Sequence, residues 1–103
     1  MQQATKLIAI ALLAALSAGA SAATVRGKLV RGKASAAGIA VTVINGKRIR
    51  TAASYSGANG MYYIPNVSAG SYTLEVWVNR NKPLNFPIQV REPQTDVNPI
   101  AVP

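Results

Sequence analysis

The sequence contains no cysteine and no histidine, and aspartate and glutamate together supply only three of its 103 residues. Without a histidine base or a cysteine thiol, neither a Ser/His/Asp triad nor a Cys/His pair can form, and zinc sites built from these residue types are excluded. Glycosidases need two carboxylates flanking one bond and calcium prefers clustered acids, whereas Glu75, Glu92 and Asp96 do not form such a set, with Glu75 expected to face solvent. The sequence therefore predicts no enzymatic activity, no metal site and no cofactor.

The first 22 residues fit the pattern of a secretory signal peptide. Lys6 provides a positive charge, residues 7–16 are apolar, and the small residues 18–22 suit a signal peptidase, so we expect cleavage after Ala22. The apolar run has about half the length needed to cross a bilayer, and no transmembrane anchor is expected after cleavage. We therefore predict export to the periplasm or the extracellular space.

Cleavage would leave residues 23–103, which is enough for one small domain. Small exported domains are often stabilised by disulfides, which this chain cannot form. Its stability must then come from strand pairing, from packing or from a partner.

Positive charge dominates this expected mature chain. Ten lysines and arginines remain against three acids, a net charge of +7. Such a field favours an anionic partner, such as an acidic glycan, a lipid headgroup or an acidic protein, but it also serves solubility alone. A nucleic-acid partner is not expected, because basic and aromatic residues are not interleaved along the chain.

From Thr24 onward, short segments of alternating apolar and polar residues are separated by Gly, Pro, Asn and Ser, and no segment shows a helical period. The segments begin near Thr24, Ile39, Lys47, Tyr62, Tyr72, Leu84 and Thr95. This pattern predicts an all-β fold, a small Greek-key-type β-sandwich of about seven antiparallel strands.

Three local signals refine this prediction. The Asn45-Gly46 pair indicates a tight hairpin, because both residues tolerate positive φ. Four apolar residues in one phase from Tyr72 to Val78 indicate a central strand. Pro87 indicates that its strand lies at a sheet edge, because proline has no N–H to donate.

Residues 59–76 carry the most specific pattern in the chain: Gly60-x-Tyr62 after a turn, then Gly70-x-Tyr72-x-Leu74 at a corner. In these positions the chain resembles the carboxypeptidase regulatory-like domains of the transthyretin-like (prealbumin-like) β-sandwich group. Unusual backbone angles at the two glycines and inward packing of the two tyrosines would fit this pattern.

The resemblance implies a module of the kind used beside catalytic domains, in adhesins and in transport systems. The sequence departs from the group's usual pattern at Gly57, where the turn commonly has Asp, and at Ser68, where the corner commonly has Pro. The hydrolase branch of the group depends on histidines that this chain lacks. A cross-link of the collagen-adhesin type, between Lys28 and Asn98 beside Glu75, is a further hypothesis from the resemblance.

Two surfaces are candidates for binding. Strand parity places Trp77 away from the core and Tyr63 on an outward phase, so the pair is a candidate platform for sugar rings or a protein partner; the alternative for Trp77 is ordinary packing. The second is a candidate patch for an anionic partner, with the alternative of solvated strand faces that discourage edge pairing. Its residues are Arg26, Lys28, Arg31, Lys33, Lys47, Arg48 and Arg50.

The sequence thus favours a non-catalytic exported β-sandwich module that acts in binding or structural support at the cell envelope or outside the cell. Two alternatives are a carbohydrate-binding module that uses exposed aromatics and a subunit of a surface fibre. The expected partner is a protein or glycan of the envelope, and the oligomeric state stays open.

Overall fold

A computed structural model describes residues 22–103, which form nine strands and no helix. The signal peptide predicted for residues 1–22 lies outside the described residues, except for Ala22. No helix that could span a membrane occurs in the described part of the chain. The strands are β1 (Ala22–Arg31), β2 (Ala34–Ser35), β3 (Ala40–Ile44), β4 (Ser54–Tyr55), β5 (Met61–Ser68), β6 (Gly70–Trp77), β7 (Leu84–Val90), β8 (Gln94–Asp96) and β9 (Ile100–Ala101).

The first sheet is organised around the long strand β1. Strands β5 and β2 pair antiparallel with it, whereas β8 and β9 pair parallel with it. Backbone hydrogen bonds join β1 to segments on both of its sides. Leu29 bonds with Gly60 and Ala36, whereas the carbonyl groups of Arg26 and Val30 accept hydrogen bonds from the N–H groups of Val97 and Val102. The expectation of a purely antiparallel fold is therefore wrong for the last two strands. The tail crosses back from the second sheet and runs beside β1 in the same direction.

The second sheet has the strand order β4-β3-β6-β7, and its pairs are antiparallel. Strand β6 lies between β3 and β7, which confirms the predicted central strand. Strand β7 carries Pro87 and is the last strand of this sheet, which confirms the predicted edge.

The two sheets share one core. Alternate residues of β1 and β5, such as Val25 and Tyr62, pack against alternate residues of β3 and β6, such as Val41 and Leu74, and all four are fully buried. Because the side-chain period of a strand is two, the residues between them lie on the two outer faces of the sandwich. Function must therefore be sought on these faces, at the strand edges or in the loops.

The turn after β3 differs from the prediction. Arg48, not the Asn45-Gly46 pair, has positive φ, at 63°. The Asn45 side-chain Oδ1 accepts hydrogen bonds from the backbone N–H groups of Lys47 and Ile49, at 2.8 and 3.0 Å. This Asx-type turn is longer than a two-residue hairpin, and Arg50 forms an isolated bridge with Ile44. The strand predicted to begin near Lys47 is therefore wrong, because the next strand, β4, begins at Ser54.

The corner glycines behave as the sequence indicated. Gly60 has φ of 78° and Gly70 has φ of 152°, both outside the range that side-chain-bearing residues favour. Tyr62 is fully buried and its ring lies over Gly27, its partner on β1, while Tyr72 is half-buried against the core. The Tyr62 hydroxyl has no hydrogen-bond partner within residues 22–103, and burial raises the pKa of this hydroxyl.

Candidate functional site

A polar cluster lies on the outer face of the second sheet, where β3 and β6 pair. Thr42 stands opposite Glu75 in the ladder, and the Thr42 hydroxyl donates to Glu75 Oε1 at 2.7 Å. Both side chains point away from the core, yet only 5% of each residue is exposed. The expectation that Glu75 faces solvent is therefore wrong: its phase is the outer one, but other side chains cover it.

Arg50 is one of the side chains that cover Glu75. Its Nε donates to Glu75 Oε1 at 2.6 Å and its Nη2 donates to Glu75 Oε2 at 2.9 Å, which is the bidentate geometry that guanidinium groups form with carboxylates. The Asn45 turn positions this side chain, because it brings Arg50 beside Ile44 on the outer face of β3. A loop residue thus neutralises an acid that lies 25 positions away in the sequence.

Trp77 completes the cluster. Its indole N–H donates to Thr42 Oγ1 at 2.9 Å, and the Arg50 guanidinium carbon stands 5.4 Å from the centre of the ring. This distance is within the range of a cation–π interaction. Trp77 is half-buried, so its ring is both a packing element and part of the surface.

The electrostatics of the cluster fix its protonation. The hydrogen bonds from Arg50 lower the pKa of Glu75, against the opposing effect of burial, and Thr42 lowers it further. Both oxygens of Glu75 accept hydrogen bonds, so the carboxylate is held ionised and is not poised to give up or take up a proton near neutral pH. The cluster is therefore suited to fixing the side chains of Arg50, Glu75 and Trp77 in position on this face.

The structure does not bring Trp77 and Tyr63 together. Trp77 lies on the outer face of the second sheet, whereas Tyr63 lies on the outer face of the first sheet, opposite Arg26 on β1. Tyr55, which the sequence did not single out, shares the face of Trp77, because both pair with Ala40 from its two sides. A regular return strand after Asn45-Gly46 would have given this residue a different register, so only the observed pairing identifies it.

The predicted cationic residues also do not form one patch. Lys47 and Arg48 follow β3 at the end of the sandwich where β6 begins, while Arg31 and Lys33 lie at the opposite end, where β1 ends. Arg50 is on the outer face of the second sheet. Arg26 and Lys28 are on the outer face of the first, where Arg26 pairs with Asp96 at 2.6 Å. Anion binding by any of these cationic residues stays a prediction.

The hypothesis of a Lys28–Asn98 cross-link beside Glu75 is wrong. Lys28 and Asn98 are exposed, and Lys28 belongs to the first sheet. Glu75 lies on the outer face of the second sheet and is bonded to Arg50. Within residues 22–103, no group of three His, Cys, Asp or Glu residues is close enough to hold a metal ion.

The fold is similar to that of known β-sandwich domains. BcpA, the major pilin subunit of Bacillus cereus, superposes with a TM-score of 0.59 at 14% sequence identity, over 78% of this chain and 29% of the pilin. A DUF3823 family protein from Parabacteroides merdae superposes with a TM-score of 0.55 at 13% identity, over 74% of this chain and 43% of that protein. At these identities the similarity shows the fold alone.

This chain spans less than half the length of either of these proteins. No protein-family model and no curated protein matches the sequence.

The pairing of Arg50 with Glu75 should make stability depend on pH. Because the folded pKa of Glu75 is lowered from its ordinary value of 4.5, its bonds stabilise the fold fully above about pH 4.5 and are lost as the pH falls through the folded pKa. We expect Glu75→Gln to reduce the free energy of unfolding at pH 7 by about 1–3 kcal/mol. The deficit should shrink on acidification toward pH 3, as measured by urea unfolding.

Asp96→Asn is the matched control for this measurement. Asp96 also pairs with an arginine, Arg26, but both side chains are exposed, 41% for Arg26 and 63% for Asp96. Its loss should change stability by no more than about 1 kcal/mol. An equal deficit for Glu75→Gln at pH 7 and pH 3 would contradict the assignment.

Proposed function

We propose that this chain is an exported, non-catalytic β-sandwich module of the carboxypeptidase regulatory-like, Greek-key type. It acts by binding or structural support at the cell envelope or outside the cell, with a protein or glycan as partner. The observation that carries the proposal is the bonding of Glu75, the one buried carboxylate among residues 22–103. Both of its oxygens accept hydrogen bonds from Arg50 or Thr42, so this carboxylate has a structural role. The similarity to a pilin domain supports the same class of protein at the level of fold.

The location of the native protein tests this proposal. Antibody detection in fractionated cells should find the chain in the envelope or the medium, and N-terminal sequencing should begin at Ala23. A variant with Ala20→Arg and Ala22→Arg, which places bulky cations at the cleavage site, should retain residues 1–22. Recovery of the unprocessed wild-type chain in the cytoplasm would contradict the proposal.

A second candidate, a subunit of a surface fibre, is favoured by the open side of the sandwich. A groove of about 490 Å³ runs between the free edge of β7 and residues 95–101. Phe86, Ile88 and Val97 line it and are only half-buried, although they pack against the core. Pro87 and Pro99 border the groove and cannot donate to an added strand, so assembly here would rest mainly on side chains.

The envelope and medium fractions from the location experiment also distinguish the two candidates, by the size of the species that they contain. A module should sediment as a discrete small species, whereas a fibre subunit should appear in multiples of the chain mass. A single species at every concentration would rule out the fibre candidate.

A further inference from the structure

The sequence contains two Asn-Gly pairs, and the structure places them in different surroundings. Asn45-Gly46 lies in the turn after β3, and Asn59-Gly60 lies in the turn before β5. In each pair the backbone nitrogen of the glycine follows directly on the asparagine, and the glycine has no side chain to hinder its approach to the side-chain amide. The same reaction, attack of the glycine nitrogen on the asparagine Cγ atom, therefore has a different barrier in each turn.

The hydrogen bonds of Asn45 favour this attack. Its Oδ1 atom accepts hydrogen bonds from the backbone N–H groups of Lys47 and Ile49, at 2.8 and 3.0 Å. Attack on Cγ places negative charge on Oδ1, so these two donors are directed at the atom where charge develops, as in an oxyanion hole. The same bonds hold the side-chain amide in one orientation within the turn.

The attacking atom, the nitrogen of Gly46, is also available. The N–H groups of Lys47, Arg48 and Ile49 all donate to Asn45, whereas no group within residues 22–103 accepts a hydrogen bond from the Gly46 N–H. Gly46 is exposed, and beyond its chain neighbours no heavy atom lies within 4 Å of the position of an added Cβ. Water can therefore take the proton from this nitrogen, and no neighbouring group obstructs ring closure.

The second pair lacks both features. Within the described residues, Asn59 Oδ1 accepts one hydrogen bond, from the Met61 N–H at 3.0 Å. The Gly60 N–H donates to the Gly57 carbonyl at 2.8 Å, so the nitrogen that would attack is engaged in the turn. Gly60 is also buried, and its carbonyl accepts a hydrogen bond from the Leu29 N–H. Attack on Asn59 would require these bonds to break first.

We propose that Asn45-Gly46 is a site of spontaneous deamidation in the folded protein, whereas Asn59-Gly60 is protected. The Gly46 nitrogen loses its proton to water and forms a bond to Asn45 Cγ. The bond from Cγ to Nδ2 breaks, and Nδ2 takes up a proton and leaves as ammonia. Water then opens the cyclic imide at one of its two carbonyl carbons, which gives aspartate in the ordinary chain or isoaspartate, in which the chain continues through the side-chain carboxyl carbon. The reaction consumes only water.

The two products have different effects on the cluster that Arg50 forms on the outer face. Aspartate keeps an oxygen that accepts both backbone N–H groups, so the turn and Arg50 stay in place. Isoaspartate adds one methylene group to the main chain of the turn and shifts Arg50 from its position opposite Ile44. Arg50 then loses its bidentate contact with Glu75 and its position over the ring of Trp77. Formation of isoaspartate is thus a one-way change that leaves a buried carboxylate without its cation.

Peptide mapping by mass spectrometry during incubation at mildly alkaline pH tests this proposal, because replacement of NH2 by OH changes the mass of the peptide that contains it. In the folded protein, position 45 should react about tenfold or more faster than position 59, a ratio that one hydrogen bond in the activation free energy produces. In urea, where neither turn persists, the two pairs should react at similar rates. Gly46→Ala should slow the reaction at position 45 about tenfold or more, because its Cβ hinders the attack.

Asn45→Asp is the matched control for the effect on Arg50, because it supplies the ordinary aspartate product from the start. Its emission from Trp77, the sole tryptophan of the sequence, should match that of the wild type. The isoaspartate fraction of aged protein, separated by chromatography, should show altered emission and a lower free energy of unfolding. The proposal is overturned if position 45 reacts no faster than position 59 in the folded protein, or if their difference persists in urea. An isoaspartate fraction with unchanged emission and stability would overturn the coupling to Arg50.

Discussion

Gly60→Ala is expected to lower the free energy of unfolding by about 2–4 kcal/mol, which is a large part of the stability of a small domain. Gly60 has φ of 78°, where a Cβ atom is strained, and that atom would overlap the Leu29 carbonyl oxygen. The overlap has no easy relief, because the Gly60 carbonyl already accepts a hydrogen bond from the Leu29 N–H at 2.8 Å. Thermal and urea unfolding of the purified variant would measure the loss.

Gly46→Ala is the matched control for this glycine. Gly46 has no heavy atom within 4 Å of the position of an added Cβ, and its substitution should change stability by about 0.5 kcal/mol or less. Equal stability of the two variants would show that the turn before β5 can move away from β1 without loss of stability, and it would contradict this prediction.

Truncation of Tyr62 to alanine should reduce stability about as much as Gly60→Ala, whereas removal of its hydroxyl alone should not. Tyr62→Ala removes a fully buried ring from between β1 and the core and should cost about 3–5 kcal/mol. Tyr62→Phe should cost nothing or raise stability by up to about 1 kcal/mol, because the hydroxyl has no hydrogen-bond partner within residues 22–103.

Urea unfolding of the two variants at pH 7 measures both effects. A loss of more than about 1 kcal/mol in Tyr62→Phe would mean that the hydroxyl does form a hydrogen bond in solution. Gly27 makes room for this tyrosine, because an added Cβ at Gly27 would overlap the Tyr62 hydroxyl and ring atoms.

The chemistry of the surface was only partly visible in the sequence. Parity correctly placed Trp77 and Glu75 on an outer phase of β6, but it gave no sign that Arg50 returns over Glu75 or that Thr42 receives the indole N–H. These partners lie 25 and 35 positions apart, and the turn that aligns Arg50 depends on the Asn45 side chain and on positive φ at Arg48. Burial of an acid on an outer face is a property of such long-range contacts.

Local chemistry by itself determined several features of this protein. Alternation of apolar residues sets the strands, the missing N–H of Pro87 places its strand at an edge, and Gly60 and Gly70 occupy backbone angles that other residues avoid. Each of these follows from one residue or from the two-residue period of a strand, so it can be read without knowledge of the partners.

Tertiary structure alone decided how the strands combine. Pairing of Ala40 with both Tyr55 and Trp77 places these two aromatic residues on one face, and the opposed outer faces separate Trp77 from Tyr63 and Arg50 from Arg26. The return of β8 and β9 in parallel beside β1 was equally invisible. Register and sheet membership depend on contacts between distant segments, since a strand with one apolar face can pair with several neighbours and only the packing of the shared core selects among them.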